Sequence, residues 1–233
     1  MKNIFLLFFI LSSIQLSAQF KLNKIKVGIL SGYAFYGQED LTSVNQSVIK
    51  SLPFEVSTIN DFDPVFFFGA YSLYGVFGHF SLGPAYEYHY IGSRLGAKDY
   101  SGTFSYDQFV HTHQAGLKVD YSLITLSRTV FNVEIYAGAN FTYWKIISNL
   151  QLGNNGEYSE HYQNRFKGLS WNISPAFKIE HKLFSQVYLL GAVSYSYDLK
   201  KKYHNLQNMN LDVLKTPDWK GLKLSLGLEF NFK

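Results

Sequence analysis

The sequence predicts an all-β protein, an eight-stranded antiparallel up-and-down transmembrane β-barrel, and three observations carry that prediction. Asp, Glu, Lys and Arg make up 16% of the chain and Phe, Trp and Tyr 18%, whereas a soluble domain has about 25% charged residues. Eight long stretches alternate apolar and polar side chains, which is the period-two pattern of strands. The connections between them alternate long and short, as they do at the two rims of an up-and-down barrel.

The N-terminus has the three parts of a cleavable secretory signal. Lys2 supplies a positive charge, an apolar run extends from Ile4 to Leu11, and a polar segment ends in Ser17-Ala18-Gln19. The apolar run is too short to span a bilayer. We therefore expect residues 1–18 to be a signal peptide and residues 19–233 to form one outer-membrane barrel domain; a buried N-terminal helix is the alternative. Cysteine is absent, so no disulfide framework is expected.

Eight segments are predicted as strands, each long enough to cross a bilayer when tilted, which takes about 9–11 residues. They are Lys24–Gly37, Pro64–Tyr74, His79–Ile91, Asp107–Tyr121, Phe131–Ile147, Lys167–His181, Gln186–Asp198 and Lys220–Phe232. Within the fifth, Phe131, Val133 and Ile135 share one face, while Asn132 and Glu134 share the other. No stretch after residue 18 is apolar enough for a transmembrane helix, so strands are the predicted membrane-crossing elements.

The connections give the predicted barrel a direction. Three are short: Gly75–Gly78, Ser122–Val130 and Lys182–Ser185. Four are long: Gln38–Asp63, Gly92–Tyr106, Ser148–Phe166 and Leu199–Trp219. Outer-membrane barrels have short periplasmic turns and long extracellular loops. We therefore expect the protein to be integral to the cell outer membrane, with both termini periplasmic.

Alternation alone also fits a soluble, lipocalin-like barrel with an apolar cavity. The polar face is rich in Gly, Ala and Ser, which suits the crowded interior of eight strands, and Tyr and Trp cluster near strand ends as a membrane girdle does. We therefore predict an inward polar face carrying a network of paired charges. Its members are Lys26, Glu87, Lys118, Asp120, Glu134, Lys178, Glu180, Lys223 and Glu229. This network is expected to plug the lumen; an ion path or gated pore is the alternative.

Two sequence features carry a resemblance to a known family. One is FFFGAYSLY followed by FSLGPAYEYHYIGSR, and the other is the last strand, GLKLSLGLEFNF. With a signal ending in Ser-Ala-Gln, the chain resembles the small eight-stranded outer-membrane β-barrel proteins of Gram-negative bacteria, in the Bacteroidota-type porin-family version. The resemblance implies that aromatics near the C-terminus, here Phe230 and Phe232, are recognised by the barrel-insertion machinery, although Lys233 follows them. It implies location and fold more than activity.

Several side chains are candidates for chemistry. His79 and Ser81 share a face with Glu87, as in a lipid-modifying enzyme, but Glu87 lies about 20 Å along the strand from Ser81, too far to orient His79. His111 and His113 alternate, yet no third metal ligand is placed by the sequence. We predict no catalytic residue, no metal site and no cofactor.

Two features of the long connections point to partners. Basic residues in or next to these connections are expected to contact lipopolysaccharide phosphates: Arg94, Lys98, Arg165, Lys167, Lys200, Lys201, Lys202, Lys215 and Lys220. Ordinary solvated loop charge is the alternative. The first long connection is the predicted contact surface for a protein partner because it carries apolar side chains, namely Leu41, Val44, Val48, Ile49, Leu52 and Phe54.

The predicted function is therefore a non-enzymatic role in envelope structure or surface interaction. The rivals are a narrow pore, a component of an export or gliding apparatus, and an outer-membrane lipid-modifying enzyme. Removing Lys2 with the signal leaves 20 of the 21 basic residues against 17 acidic ones. So small an excess gives no indication of a nucleic-acid partner.

Overall fold

A computed structural model describes residues 25–62, 64–153, 157–207, 213 and 215–232. The predicted signal peptide, residues 1–18, lies outside the described residues, as does Lys233. The described chain forms nine strands and one helix. In chain order they are β1 (Ile25–Tyr36), α1 (Glu39–Ser51), β2 (Ser57–Asp61), β3 (Val65–Phe77), β4 (Phe80–Asp99), β5 (Gly102–Leu126), β6 (Thr129–Leu152), β7 (Tyr158–Phe184), β8 (Val187–Asn205) and β9 (Gly221–Phe232).

Eight of the strands close into a ring. Each long strand pairs antiparallel with the next, β1–β3–β4–β5–β6–β7–β8–β9. β9 returns to β1, with Phe232 opposite Ile25 and Gly221 opposite Tyr36. The short strand β2 adds to β4 above the end of β3. The predicted eight-stranded antiparallel up-and-down barrel is therefore confirmed.

The three connections predicted to be short are tight turns at one rim. Two residues separate the strands in each: 78–79, 127–128 and 185–186. Gly78, Ser127 and Ser185 adopt positive φ angles of 53°, 50° and 39°. Two-residue hairpins need positive φ to match the strand twist, and the glycine adopts it without steric cost.

At the opposite rim, two of the connections predicted as long loops are mostly strand. β4 and β5 continue through Gly92–Tyr106 to a hairpin at residues 100–101, where Asp99 accepts hydrogen bonds from the Ser101 hydroxyl at 2.7 Å and amide at 2.8 Å. These bonds lower the pKa of the Asp99 carboxyl. β6 and β7 likewise fill most of Ser148–Phe166. Backbone pairing continues past the apolar part of each strand, so this rim is a protruding wall of sheet.

The first long connection also differs from the predicted loop, since it contains α1 and β2. Leu41 is fully buried, and Val44, Val48, Ile49, Leu52 and Phe54 pack against the buried apolar residues at this end. Phe54 contacts the ring of Phe104 in β5 with centroids 5.8 Å apart. These apolar side chains therefore pack within the chain, and a protein partner at this connection stays a prediction. Within the described residues, no helix is long and apolar enough to cross a membrane.

The two faces of the barrel wall have opposite character. Ile135 is 44% exposed on the outer surface, whereas the neighbouring Glu134 is 3% exposed in the interior. Leu224 and Lys223 of β9 show the same contrast, at 42% and 3%. Apolar side chains outward and polar side chains inward are the arrangement of a membrane-spanning barrel. This orientation excludes the lipocalin-like alternative.

Candidate functional site: the barrel interior and its cap

The interior is built around one fully buried ammonium group. Lys178 Nζ lies 2.7 Å from Glu180, 2.8 Å from Glu134, 3.2 Å from Asp120 and 3.5 Å from Glu229. β7 places Lys178 and Glu180 on its inner face. The other three carboxylates lie on the inward-facing positions of β5, β6 and β9. A buried charge is tolerated only when it is paired and hydrogen-bonded. Lys178 therefore ties four strands together across the lumen.

Two further lysines close this cluster. Lys26 Nζ lies 3.1 Å from both Asp120 and Glu180 and 3.6 Å from Glu229. It reaches a cavity of about 590 Å³ that opens at the tight-turn rim and is also lined by Glu180. Lys118 pairs with Glu134 at 3.3 Å. The ion pairs thus form a layer across the lumen, called the ion-pair floor. Between this floor and the tight-turn rim the lumen is open.

A second cluster lies on the inner faces of β4 and β9. Lys223 Nζ donates to Glu87 at 2.7 Å, and Glu87 lies 3.2 Å from His89 Nε2. His89 Nδ1 is 3.1 Å from the hydroxyl of Tyr36, and its ring stacks on Phe67 with centroids 4.8 Å apart. All the hydrogen-bonding capacity of the imidazole is therefore used inside the wall.

The structure brings all nine predicted network residues into the interior. Four lysines face five carboxylates, so a neutral imidazole on His89 leaves one negative charge in excess. Tyr71 stabilises one of the five carboxylates, because its hydroxyl donates to Glu229 at 2.7 Å. The ring of Tyr71 also lies 4.4 Å below the Lys118 ammonium group. An aromatic face near an ammonium group adds cation–π attraction.

Above the charges, aromatic and amide side chains cap the barrel. Trp219, fully buried ahead of β9, donates its indole N–H to Thr142 at 2.9 Å and packs edge-on against Tyr36 at 5.3 Å. Gln108 donates to Asn45 of α1 at 2.7 Å and accepts from the Trp144 indole at 3.0 Å. These bonds anchor α1 and the β8–β9 connection in the mouth.

Space inside the wall is small. A cavity of about 30 Å³ lies between the two charge clusters, bordered by Lys118, Lys223, Glu87 and Tyr136. That volume holds about one or two water molecules. Between the open cavity at the tight-turn rim and the cap, the lumen is occupied by side chains.

The side chains that are candidates for chemistry lie in different parts of the barrel. Glu87 is engaged by Lys223 and His89, while His79 lies in the β3–β4 turn against the ring of Tyr121. His111 and His113 face outward among tyrosines. His111 stacks on Tyr143 at 5.1 Å, and His113 Nδ1 is 2.7 Å from the Tyr86 hydroxyl. Among the described residues, no group of three His, Asp or Glu side chains is arranged to hold a metal ion.

The predicted insertion-signal aromatics lie at the end of β9. Phe230 and Phe232 face outward, 38% and 47% exposed; their recognition by insertion machinery stays a prediction. Sequence reasoning missed the cap residues Asn45, Gln108 and Trp219. Gln108 could have been found, because it continues the inward register of Val110 and Thr112. Trp219 precedes its strand and carried no periodic signal.

Comparisons with known proteins add little. No protein-family model matches the sequence, and no curated protein is similar enough to count as a match. Solved structures with similar coordinates include Neisserial surface protein A, with TM-score 0.40, 12% identity, and coverage of 89% of this chain and 97% of that one. The outer membrane protease OmpT from Escherichia coli has a TM-score of 0.44 and 12% identity, with coverage of 93% of this chain and 99% of that one. A major outer membrane protein from Thermus thermophilus has a TM-score of 0.42 and 14% identity, with coverage of 89% of this chain and 99% of that one. At these identities and TM-scores the similarity assigns neither a family nor a function to the chain, and the fold is established by the strand pairing itself.

Proposed function

We propose that this chain is an integral outer-membrane barrel with a plugged lumen, and that its role is structural or one of surface interaction. The Bacteroidota-type resemblance, the cleaved signal and the periplasmic placement of the termini belong to the same proposal. The protruding wall of β4–β8 would then lie outside the cell, and the tight turns would face the periplasm.

The single observation that carries the proposal is the ion-pair floor. Lys178 is 1% exposed and has four carboxylates within 3.5 Å, and the side chains of Asp120, Glu180 and Glu229 are at most 2% exposed. Moving a hydrated ion through this layer would require breaking buried charge pairs, which costs about 3–5 kcal/mol for each pair that loses a partner. The layer therefore supports a closed barrel against the pore alternative.

Planar-bilayer recording tests the plug directly. We expect the purified protein to insert without producing steady conductance steps in molar potassium chloride. A double variant, Lys26→Ser with Lys178→Ser, removes two of the bulky cations that fill the floor. We expect the fraction of it that keeps a heat-dependent gel shift to admit ions. Lys98→Ser, an exposed change at the opposite rim, is the control. Steady conductance through the unmodified protein would overturn the proposal.

The absence of an enzymatic role is also part of the proposal. Its support is geometric, since Glu87 is held by Lys223 and His89 and does not pair with His79. Replacing His79 and Ser81 by alanine should leave the lipid A profile of cells expressing the protein unchanged relative to the unmodified chain. A change in acyl-chain number that depends on either residue would support the lipid-modifying rival instead.

A further inference from the structure

Four cations lie on the outer surface of β6–β8. Lys145 on β6, Arg165 and Lys167 on β7, and Lys202 on β8 all follow the outward register of their strands; together they are called the outer basic patch. Arg165 and Lys202 fall in connections that were expected to be loops, but all four cations lie on strands. Among the described residues, no carboxylate is within ion-pairing distance of any of them.

The strand register places these cations beside one another. Lys145 lies directly opposite Arg165, and Lys167 lies opposite both Tyr143 and His204. Like charges directly opposite one another across a strand pair destabilise the sheet. By contrast, the outward Arg94 on β4 is neutralised by Asp107, with Nε–Oδ1 at 2.5 Å. An anion from outside the chain would relieve the repulsion within the patch.

The height of the patch on the wall indicates what that anion is attached to. On β7 the outward residues from Ile179 to Leu169 are predominantly apolar or aromatic, and Lys167 is the next outward residue. Ten residue steps of about 3.3 Å, tilted by about 40°, span about 25 Å, which is the height of the apolar band of an outer-membrane barrel. The patch therefore begins where hydrocarbon ends.

The same boundary occurs on the neighbouring strands. On β6 the outward apolar run ends at Tyr143, and Lys145 follows. Tyr143 lies under the Lys167 ammonium group at 5.3 Å from the ring centroid. On β8, Tyr197 and Leu199 are exposed just before Lys202. Tyrosines beneath cations are typical of the headgroup level of a membrane.

We propose that the outer basic patch binds the phosphate groups of an anionic glycolipid in the outer leaflet. The phosphates would lie between Lys145, Arg165 and Lys167, and the acyl chains would lie below them against Leu169 and Trp171. Arg165 supplies a planar guanidinium suited to bidentate phosphate binding, and the lysines supply point charges. This inference rests on the proposed placement in the outer membrane and names a ligand class for one side of the wall.

The test compares lipid probes on the purified full-length protein. Binding of bisphosphorylated lipid A and of its dephosphorylated form is measured in detergent by native mass spectrometry. We expect the phosphorylated form to bind at least about ten-fold more tightly, since each cation near a phosphate surface contributes to binding. The difference should shrink between about 50 mM and about 500 mM salt, because salt screens exposed charges.

The decisive variant is Lys145→Gln with Arg165→Gln and Lys167→Gln, which should abolish the preference for phosphorylated lipid. Its matched control is Lys50→Gln with Arg128→Gln and Lys182→Gln, which removes the same charge elsewhere and should retain the preference. Equal loss in both variants would overturn the proposal and leave only non-specific charge attraction. Inorganic phosphate that competes at the same concentration as the lipid would also overturn it, since the acyl chains would then contribute nothing.

The proposed membrane placement is checked separately on the same samples. A gel of unheated and heated protein reports whether each variant holds the closed barrel. A heat-stable barrel that shows no lipid preference would contradict the lipid site alone. Identical mobility before and after heating would contradict the membrane barrel itself.

Discussion

Removing the ammonium group of Lys178 should lower the stability of the barrel more than any other change proposed for its interior. Lys178→Met keeps the length and volume of the side chain but deletes its charge. Four lysines among five carboxylates become three, and Glu134, Glu180 and Asp120 lose a partner at 2.8, 2.7 and 3.2 Å. Because Lys178 is 1% exposed, solvent does not screen the loss. We expect the free energy of unfolding to fall by about 3–5 kcal/mol.

Urea unfolding from phospholipid vesicles, followed by the fluorescence of the three tryptophans, measures this change. A second variant, Lys178→Met with Glu180→Gln, removes one charge of each sign and should recover part of the loss, with a coupling of about 1 kcal/mol or more. Lys98→Met, on the exposed wall, should stay within about 0.5 kcal/mol of the unmodified protein. A loss below about 1 kcal/mol for Lys178→Met alone would refute the claim that the interior depends on paired charges.

Two other predictions concern closure and the cap. A side chain at Gly32 would overlap the Leu224 carbonyl where β1 meets β9. Gly32→Val should therefore not reach the heat-stable form, whereas Ser31→Val, which points outward, should reach it. Equal heat stability of the two variants would contradict the β1–β9 register. Leu41→Asp buries an unpaired carboxylate under α1, so trypsin should cut α1 at Lys50 faster while the barrel keeps its heat-dependent gel shift. Unchanged digestion would show that α1 does not depend on Leu41 for its position.

The membrane-crossing part of the fold was predictable because one physical pattern controls it. Because hydrocarbon lies outside the barrel and a crowded polar lumen lies inside, apolar and polar side chains alternate along each strand. The orientations of Val133, Glu134 and Ile135 can therefore be predicted from the sequence. The nine interior charges could be chosen by the same rule. Which of them pair could not be predicted, because pairing depends on shear, and only the coordinates bring Lys26 of β1 to Glu180 of β7.

The protruding wall and the cap were not predicted, and the reason is physical. Above the membrane both faces of a strand meet water or polar side chains, so the alternation fades although the backbone pairing continues, as in Ser148–Phe166. Helix α1 did leave a signal. Leu41, Val44 and Val48 recur at helical spacing, with Glu39 and Asp40 in the first turn. The period-two pattern on both sides nevertheless favours a loop between two strands.

The orientation of the barrel wall is the claim that all the others need, and the absence of native cysteine allows a direct measurement. Single cysteines at Val133, Ile135, Phe141, Tyr136 and Asn140 would carry a nitroxide label in protein reconstituted into lipid vesicles. We expect oxygen dissolved in the bilayer to relax the labels at 133, 135 and 141 strongly, and those at 136 and 140 weakly. A water-soluble nickel chelate that relaxes the labels at 133, 135 and 141 more than oxygen does would contradict the account.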